Sequence, residues 1–184
     1  MKFKHAHYIE PIGIVEGLAL WWTEDANISI LRYGKNFIDS KLSTNIDEEW
    51  FCIFIYGPLY AEEKQKFWEG LSILRRTPSD KLCIIGDTNI VTRSEDKLGG
   101  ALFDSSQAKH FLDFVDKEGL LELSIKGVLL CGPTNGVKLI LFLRSWTESS
   151  FCQIGARLFL KLLGSLKLQW LQTTTINFTY PRFK

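Results

Sequence analysis

The sequence lacks several features that mark whole classes of protein. No uncharged apolar run reaches membrane-spanning length, because Lys161 and Lys167 interrupt the best candidate. Residues 1–5 contain no apolar stretch typical of a signal peptide. The formal net charge is +1, so a general electrostatic attraction to nucleic acid is also missing. We therefore expect an intracellular protein, cytoplasmic or nuclear, with no membrane partner and no specific oligomer.

Paired cysteine motifs are absent as well. Cys52, Cys83, Cys131 and Cys152 are scattered, and none forms a C-x-x-C pair. This spacing favours buried free thiols in a reducing compartment over zinc ligands or disulfides. The 184 residues, 46% hydrophobic and 23% charged, are sufficient for one globular α/β domain.

The most informative stretch is residues 82–89, where an apolar run ends in Gly86-Asp87-Thr88-Asn89. The pattern predicts a buried strand that carries a carboxylate and a carboxamide at its tip, with Gly86 allowing a tight turn. Asp87 and Asn89 would point the same way if extended geometry continued. An acid beside a neutral hydrogen-bonding group suits phosphodiester hydrolysis. The alternative is an ordinary Gly-Asp turn without function.

Other segments predict a mixed α/β chain. Apolar and alternating runs predict strands at Gly17–Trp22, Ile28–Leu31, Lys35–Leu42, Trp50–Tyr56, Leu120–Leu123 and Val128–Cys131. The first three would form a meander. Amphipathic patterns predict helices at Glu62–Leu74 and Ser106–Glu118, with Glu62, Glu63, Lys64 and Lys66 largely solvated. This order implies an α/β sandwich with a largely antiparallel sheet. Apolar segments after Gly136 show no clear period, so a short amphipathic or membrane-surface helix remains an alternative there.

Several motifs follow one another along residues 13–123. They are Gly13–Trp22, Asn36–Asp39, Tyr56–Pro58, Gly86–Asn89, Ser94–Gly100 and Gly119–Leu123. In this order they resemble G-x-x-GG-L-A-L-x-W, N-H-I-D, Y-G-x-P, G-D-F-N, S-x-E-K-x-G-G (with one extra residue here) and G-L-x-D-L. These belong to the endonuclease/exonuclease/phosphatase superfamily, in particular the apurinic-endonuclease-like domain of plant LINE-type retrotransposons.

The resemblance implies a partial four-layer α/β sandwich of the DNase-I-like class, with mixed, mainly antiparallel sheets. It also implies Mg²⁺-dependent phosphodiester hydrolysis with DNA as the partner. Asp87 would orient or deprotonate the attacking water, Asn89 would hydrogen-bond the scissile phosphate, and Tyr56 would offer its phenol to a phosphate oxygen. For Tyr56, packing of a strand-end aromatic under a turn is an equal alternative. Glu95 and Asp96 lie in a nearby loop, where solvated charges are the simpler interpretation.

The sequence also departs from the family pattern. The family's metal-binding Glu and its W-N-x-R-G strand would precede the segment with which this chain begins, and the metal ligands are therefore unknown. The late S-D-H motif has no counterpart, since His5, His7 and His110 stand in other contexts. We expect residues 1–136 to be a partial endonuclease domain, truncated at both ends, with little or no activity. A non-catalytic module that binds nucleic acid or protein is the alternative.

Residues 137–184 are predicted to be a divergent tail translated out of frame from a decayed element. Residues 144–149 can be back-translated so that a frame starting one nucleotide before Ser145 encodes the family's Lys-Leu-Asp-Arg-Val. The same shift can give Val-Ala-Thr-Asp-His from residues 169–174. Sequencing the coding DNA tests this prediction. The hypothesis fails if the shifted frame does not encode both motifs.

Overall fold

A computed structural model describes residues 3–11, 17–43, 49–74, 77, 79–90, 105–123, 139–144, 166–170 and 174–177. Its strands are β1 (His5–Ile9), β2 (Leu18–Trp22), β3 (Asn27–Gly34), β4 (Phe37–Ser43), β5 (Glu49–Tyr56), β6 (Leu82–Asp87), β7 (Leu121–Leu123), β8 (Leu139–Arg144), β9 (Leu166–Trp170) and β10 (Thr174–Asn177). Its helices are α1 (Ala61–Ile73) and α2 (Ser105–Lys117).

Six strands form one sheet, in the order β3-β4-β5-β6-β8-β7. β5 and β6 pair in parallel, and the other strand pairs described in this sheet are antiparallel. A parallel pair needs a crossover connection, and α1 lies in the segment that links β5 to β6. The two strands therefore end at the same edge of the sheet.

Both helices cover one face of this sheet. Ile53 and Ile84, on neighbouring strands, belong to a buried apolar cluster with Trp68 of α1 and with Phe111 and Phe114 of α2. The Trp68 ring lies 4.9 Å from the ring of Phe111 and 5.2 Å from that of Phe114, centroid to centroid. Aromatic side chains bury large apolar areas, so Trp68 is the main anchor of α1 against α2 and the sheet.

The remaining described strands form an antiparallel sheet in the order β1-β2-β9-β10. In β2, Leu18 and Leu20 are fully buried. On the first sheet, Phe54 and Ile85 alternate with the helix-facing residues and are also fully buried. A ring contact joins the two sheets, with His7 of β1 lying 4.7 Å from Tyr33 of β3. Burial lowers the pKa of His7 below its usual value, which favours the neutral imidazole at this contact.

One detail of the sequence prediction is wrong. β2 belongs to the four-stranded sheet, so β2, β3 and β4 do not form a meander. Residues 139–144, to which the sequence assigned no element beyond the alternative of a short helix, form strand β8 and pair with β6. Strand β1 has no counterpart in the sequence prediction. The segments 128–131 and 158–163 lie outside the described residues.

The α/β class with mixed, mainly antiparallel sheets is confirmed. The division at residue 136 remains a prediction, although β8 pairs with β6 and β9 pairs with β2. Within the described ranges, no helix is both long and apolar enough to cross a membrane.

Cys52 and Cys83 confirm the prediction of buried free thiols. They are register partners on β5 and β6. Burial raises the pKa of the Cys83 thiol, and a hydrogen bond and charge interaction with Cys52 raise it further. The other cysteines, Cys131 and Cys152, lie outside the described residues.

A nearly buried ion pair ties β8 to the end of α2. The Arg144 guanidinium donates from Nη1 to Glu118 Oε2 at 3.1 Å and from Nη2 to the Thr77 carbonyl oxygen at 3.4 Å. Glu118 and Arg144 are 8% and 9% exposed. We expect Arg144→Met to lower the free energy of unfolding by about 3–5 kcal/mol, because it leaves a buried carboxylate without its cation.

The double variant Glu118→Met/Arg144→Met is the matched comparison. Replacing both charges with apolar side chains removes the unpaired carboxylate, so most of the lost stability should return. Urea unfolding of the single and double variants measures the difference. Equal stability of the two variants would show that the unpaired Glu118 carboxylate is not destabilising, which would contradict this expectation.

Candidate active site at the tips of β5 and β6

The candidate site lies where β5 and β6 end side by side. Tyr56 and Asp87 are register partners in the parallel pair. Their side chains share a face of the sheet, because register partners point the same way. Each residue is 7% exposed. Two of the three predicted site residues are therefore neighbours at the carboxyl edge, where open α/β sheets commonly bind ligands.

Asn89 lies beside Asp87 because the chain turns there, and not because the strand continues. Its φ of 51° is left-handed, so the chain is not extended at Asn89, and the condition under which the two side chains would point the same way is not met. The Asn89 backbone N–H instead donates to Asp87 Oδ1 at 2.8 Å. Asparagine tolerates this conformation better than most residues, and a side-chain oxygen that accepts the amide two residues on is a known turn device. The turn holds the Asp87 carboxylate in one orientation.

The Asp87–Asn89 turn is fastened to β5. Asn89 Nδ2 donates to the Gly57 carbonyl oxygen at 2.6 Å. In return, the Gly57 N–H donates to the Asp87 carbonyl oxygen at 2.7 Å. A carboxamide has two N–H donors, so a phosphate could receive only the second hydrogen of Asn89.

Close backbone approach explains two glycines at the site. A Cβ at Gly57 would lie 2.1 Å from the Thr88 carbonyl oxygen, and a Cβ at Gly86 would lie 1.9 Å from the Ile55 carbonyl oxygen. Gly86 also has a φ of 151°, which side chains rarely adopt. Gly86 lies within β6, where the absence of a side chain allows the close approach of Ile55 on β5. The turn comes later in the chain, at Asn89.

Sequence reasoning missed Asn36 as a site residue. Asn36 is buried, its Nδ2 donates to the Tyr56 carbonyl oxygen at 2.7 Å, and its own carbonyl oxygen accepts the Tyr56 N–H at 2.9 Å. These two bonds hold the end of β5 against the β3–β4 connection. The segment Asn36–Asp39 belongs to the motifs that carry the family resemblance, but nothing in the sequence links it to Tyr56.

The sequence also did not indicate Lys64 as a site residue, and the prediction that its side chain is largely solvated is wrong. It is 6% exposed and donates from Nζ to the Asn89 carbonyl oxygen at 2.8 Å. The three buried residues of α1 are Lys64, Trp68 and Leu71. This spacing of four and three residues marks one helix face and is the signal that could have identified Lys64.

The described residues contain no group of three or more His, Cys, Asp or Glu placed to hold a metal ion. Asp87 is the carboxylate that the described tips of β5 and β6 bring to the site. Glu95 and Asp96, the loop acids noted in the sequence, lie outside the described ranges.

Comparison with solved structures agrees with this architecture. The chain is similar to the endonuclease domain of TRAS1, a telomere-specific non-LTR retrotransposon, with a TM-score of 0.54 and 16% sequence identity. The match covers 75% of this chain and 64% of that domain. No protein-family model and no curated protein matches the sequence. The fold is therefore DNase-I-like, the fold of a retrotransposon endonuclease domain.

The close approach at Gly57 can be tested by adding one methyl group. Gly57→Ala should lower the free energy of unfolding by about 1–3 kcal/mol, because its Cβ meets backbone atoms that move only with the strand. Gly70→Ala is the matched control. Gly70 is exposed within α1 and has open space around its Cβ position, so this change should raise stability by about 0.5–1 kcal/mol.

Thermal and urea unfolding of both variants measure these changes. Unchanged stability of Gly57→Ala would contradict the described approach of Thr88.

Proposed function

We propose that this chain is a nuclease-like phosphodiesterase domain that acts on DNA, derived from the endonuclease of a plant LINE-type retrotransposon. The observation that carries the proposal is the Asp87–Asn89 turn, bonded to the end of β5 in a retrotransposon endonuclease fold. An acid and a carboxamide held together at the edge of a sheet suit the orientation of water and phosphate.

Asp87 is proposed to orient the attacking water and to receive its proton. The hydrogen bond from the Asn89 backbone N–H fixes one carboxylate oxygen. A general base works efficiently only when its geometry is fixed, since misplacement of the reacting groups lowers the rate steeply.

Asn89 and Tyr56 are proposed to contact the phosphate. One Nδ2 hydrogen of Asn89 serves Gly57, and the second is assigned to a non-bridging phosphate oxygen. The phenol of Tyr56 is assigned to another phosphate oxygen, on the strand next to Asp87. Hydrogen-bond donors stabilise the negative charge that develops on the phosphate oxygens in the transition state.

Mg²⁺ is the proposed cofactor, as the family resemblance implies. The described residues hold no group of three or more His, Cys, Asp or Glu that could bind it, so no protein ligand is assigned to the ion. When bound, Mg²⁺ would supply positive charge against the phosphate oxygens.

We further propose that the activity is low. The three histidines of the sequence do not reproduce the late S-D-H motif. His7 lies in β1 and His110 in α2, and neither adjoins Asp87 in sequence or register. Loss of one member of a catalytic group usually costs several orders of magnitude in rate.

A nicking assay tests the function. The full chain is incubated with plain and abasic duplex DNA, with and without Mg²⁺. We expect slow Mg²⁺-dependent nicking that Asp87→Ala reduces by about 10²–10⁴-fold, the usual contribution of a general base. Asp116→Ala, which removes an exposed carboxylate from α2, is the control and should leave the rate unchanged.

Nicking that survives Asp87→Ala would contradict the proposed site. Duplex binding without turnover in the unsubstituted chain would support a non-catalytic nucleic-acid-binding module instead.

A further inference from the structure

A lysine is buried directly behind the Asp87–Asn89 turn. Lys64 lies in α1, on the same face as Trp68 and Leu71, and is 6% exposed. Burying an ammonium group is costly unless it is hydrogen-bonded. The Lys64 ammonium donates to the Asn89 carbonyl oxygen at 2.8 Å. The helix therefore places a positive charge against the backbone of a proposed site residue.

Two hydrogen bonds meet at Asn89. Its carbonyl oxygen accepts from Lys64, and its N–H donates to Asp87 Oδ1 at 2.8 Å. Lys64 thus reaches Asp87 through a single intervening residue. Asn89 has a φ of 51°, a left-handed conformation that asparagine tolerates better than most residues but less readily than glycine. Contacts with its backbone therefore help to hold this conformation.

The start of α1 is itself held close to the site. Lys35 Nζ lies 3.2 Å from both carboxylate oxygens of Glu63, the residue before Lys64. Lys35 precedes Asn36, whose side chain binds the Tyr56 carbonyl oxygen. The pair is partly exposed and contributes little stability alone. It does place the helix start beside the β3–β4 connection.

We propose that Lys64 is a positioning residue of this site. Its ammonium group holds the left-handed backbone of Asn89, so that the Asn89 N–H keeps the Asp87 carboxylate oriented. The effect on catalysis rests on the proposed phosphodiesterase function. The effect on the turn does not, and the two can be measured separately.

Hydrogen exchange tests the effect on the turn without any activity. The variant Lys64→Met removes the ammonium group and retains much of the apolar stem. Lys66→Met, at an exposed position on the same helix, is the matched control. We expect protection of the Asn89 amide to fall about tenfold or more in Lys64→Met, because local opening becomes easier. The amides of Ile84 and Ile85 in β6 should keep their protection in both variants.

Two exchange results would overturn the proposal. Unchanged protection at Asn89 would show that Lys64 does not hold the turn. An equal loss at Ile84 and Ile85 would show a general structural role in place of local positioning.

Nicking kinetics on the same variants test the effect on the reaction. Lys64→Met should lower kcat about 10–100-fold, which is usual when a residue that orients a substrate-contacting group is lost. KM should stay nearly unchanged. Lys64→Arg, which keeps a cationic donor, should recover part of that loss. An unchanged kcat in Lys64→Met would overturn the catalytic role. If the unsubstituted chain does not nick DNA, the proposed function fails, and the exchange result alone decides whether Lys64 positions the turn.

Discussion

The parallel pairing of β5 with β6 is the constraint on which the rest of the structure depends. It is the one parallel pair among the strands that the structure describes, and it places Tyr56 directly beside Asp87. Because a parallel pair requires a crossover, it also places α1 in the connection between the two strands. The apolar cluster around Trp68 and the candidate site are two results of the same strand pairing.

The site at the end of this pair is built largely from backbone contacts. Gly57 binds Asp87 through its N–H and Asn89 through its carbonyl oxygen. Glycine is required because any Cβ at this position would collide with the Thr88 carbonyl group. Such contacts depend on strand register and residue size and do not depend on catalytic chemistry. The tips of β5 and β6 can therefore keep their shape even where groups needed for a fast reaction are missing.

Much of the fold could be predicted from the sequence, because most elements carry local signals. Alternation, apolar runs and helix periodicity identified β2–β6, α1 and α2 to within a few residues. The assignment of β2 to a second sheet could not be predicted this way, since sheet membership depends on contacts between distant residues. The sequence predicted Asp87 and Asn89 at the tip of β6, but it did not predict the left-handed turn or its hydrogen bonds to Gly57 and Lys64 on other elements, which depend on distant contacts.

Lys64 shows how one helix face can serve both packing and chemistry. Trp68 and Leu71 continue the buried face that Lys64 begins, and Trp68 fixes the helix against α2 and the sheet. Aromatic packing of this kind leaves a helix little freedom to rotate or slide. The Lys64 ammonium therefore reaches Asn89 from a fixed direction. Since Asn89 in turn holds Asp87, the geometry of the candidate site is set as much by the apolar core as by the polar residues at the edge of the sheet.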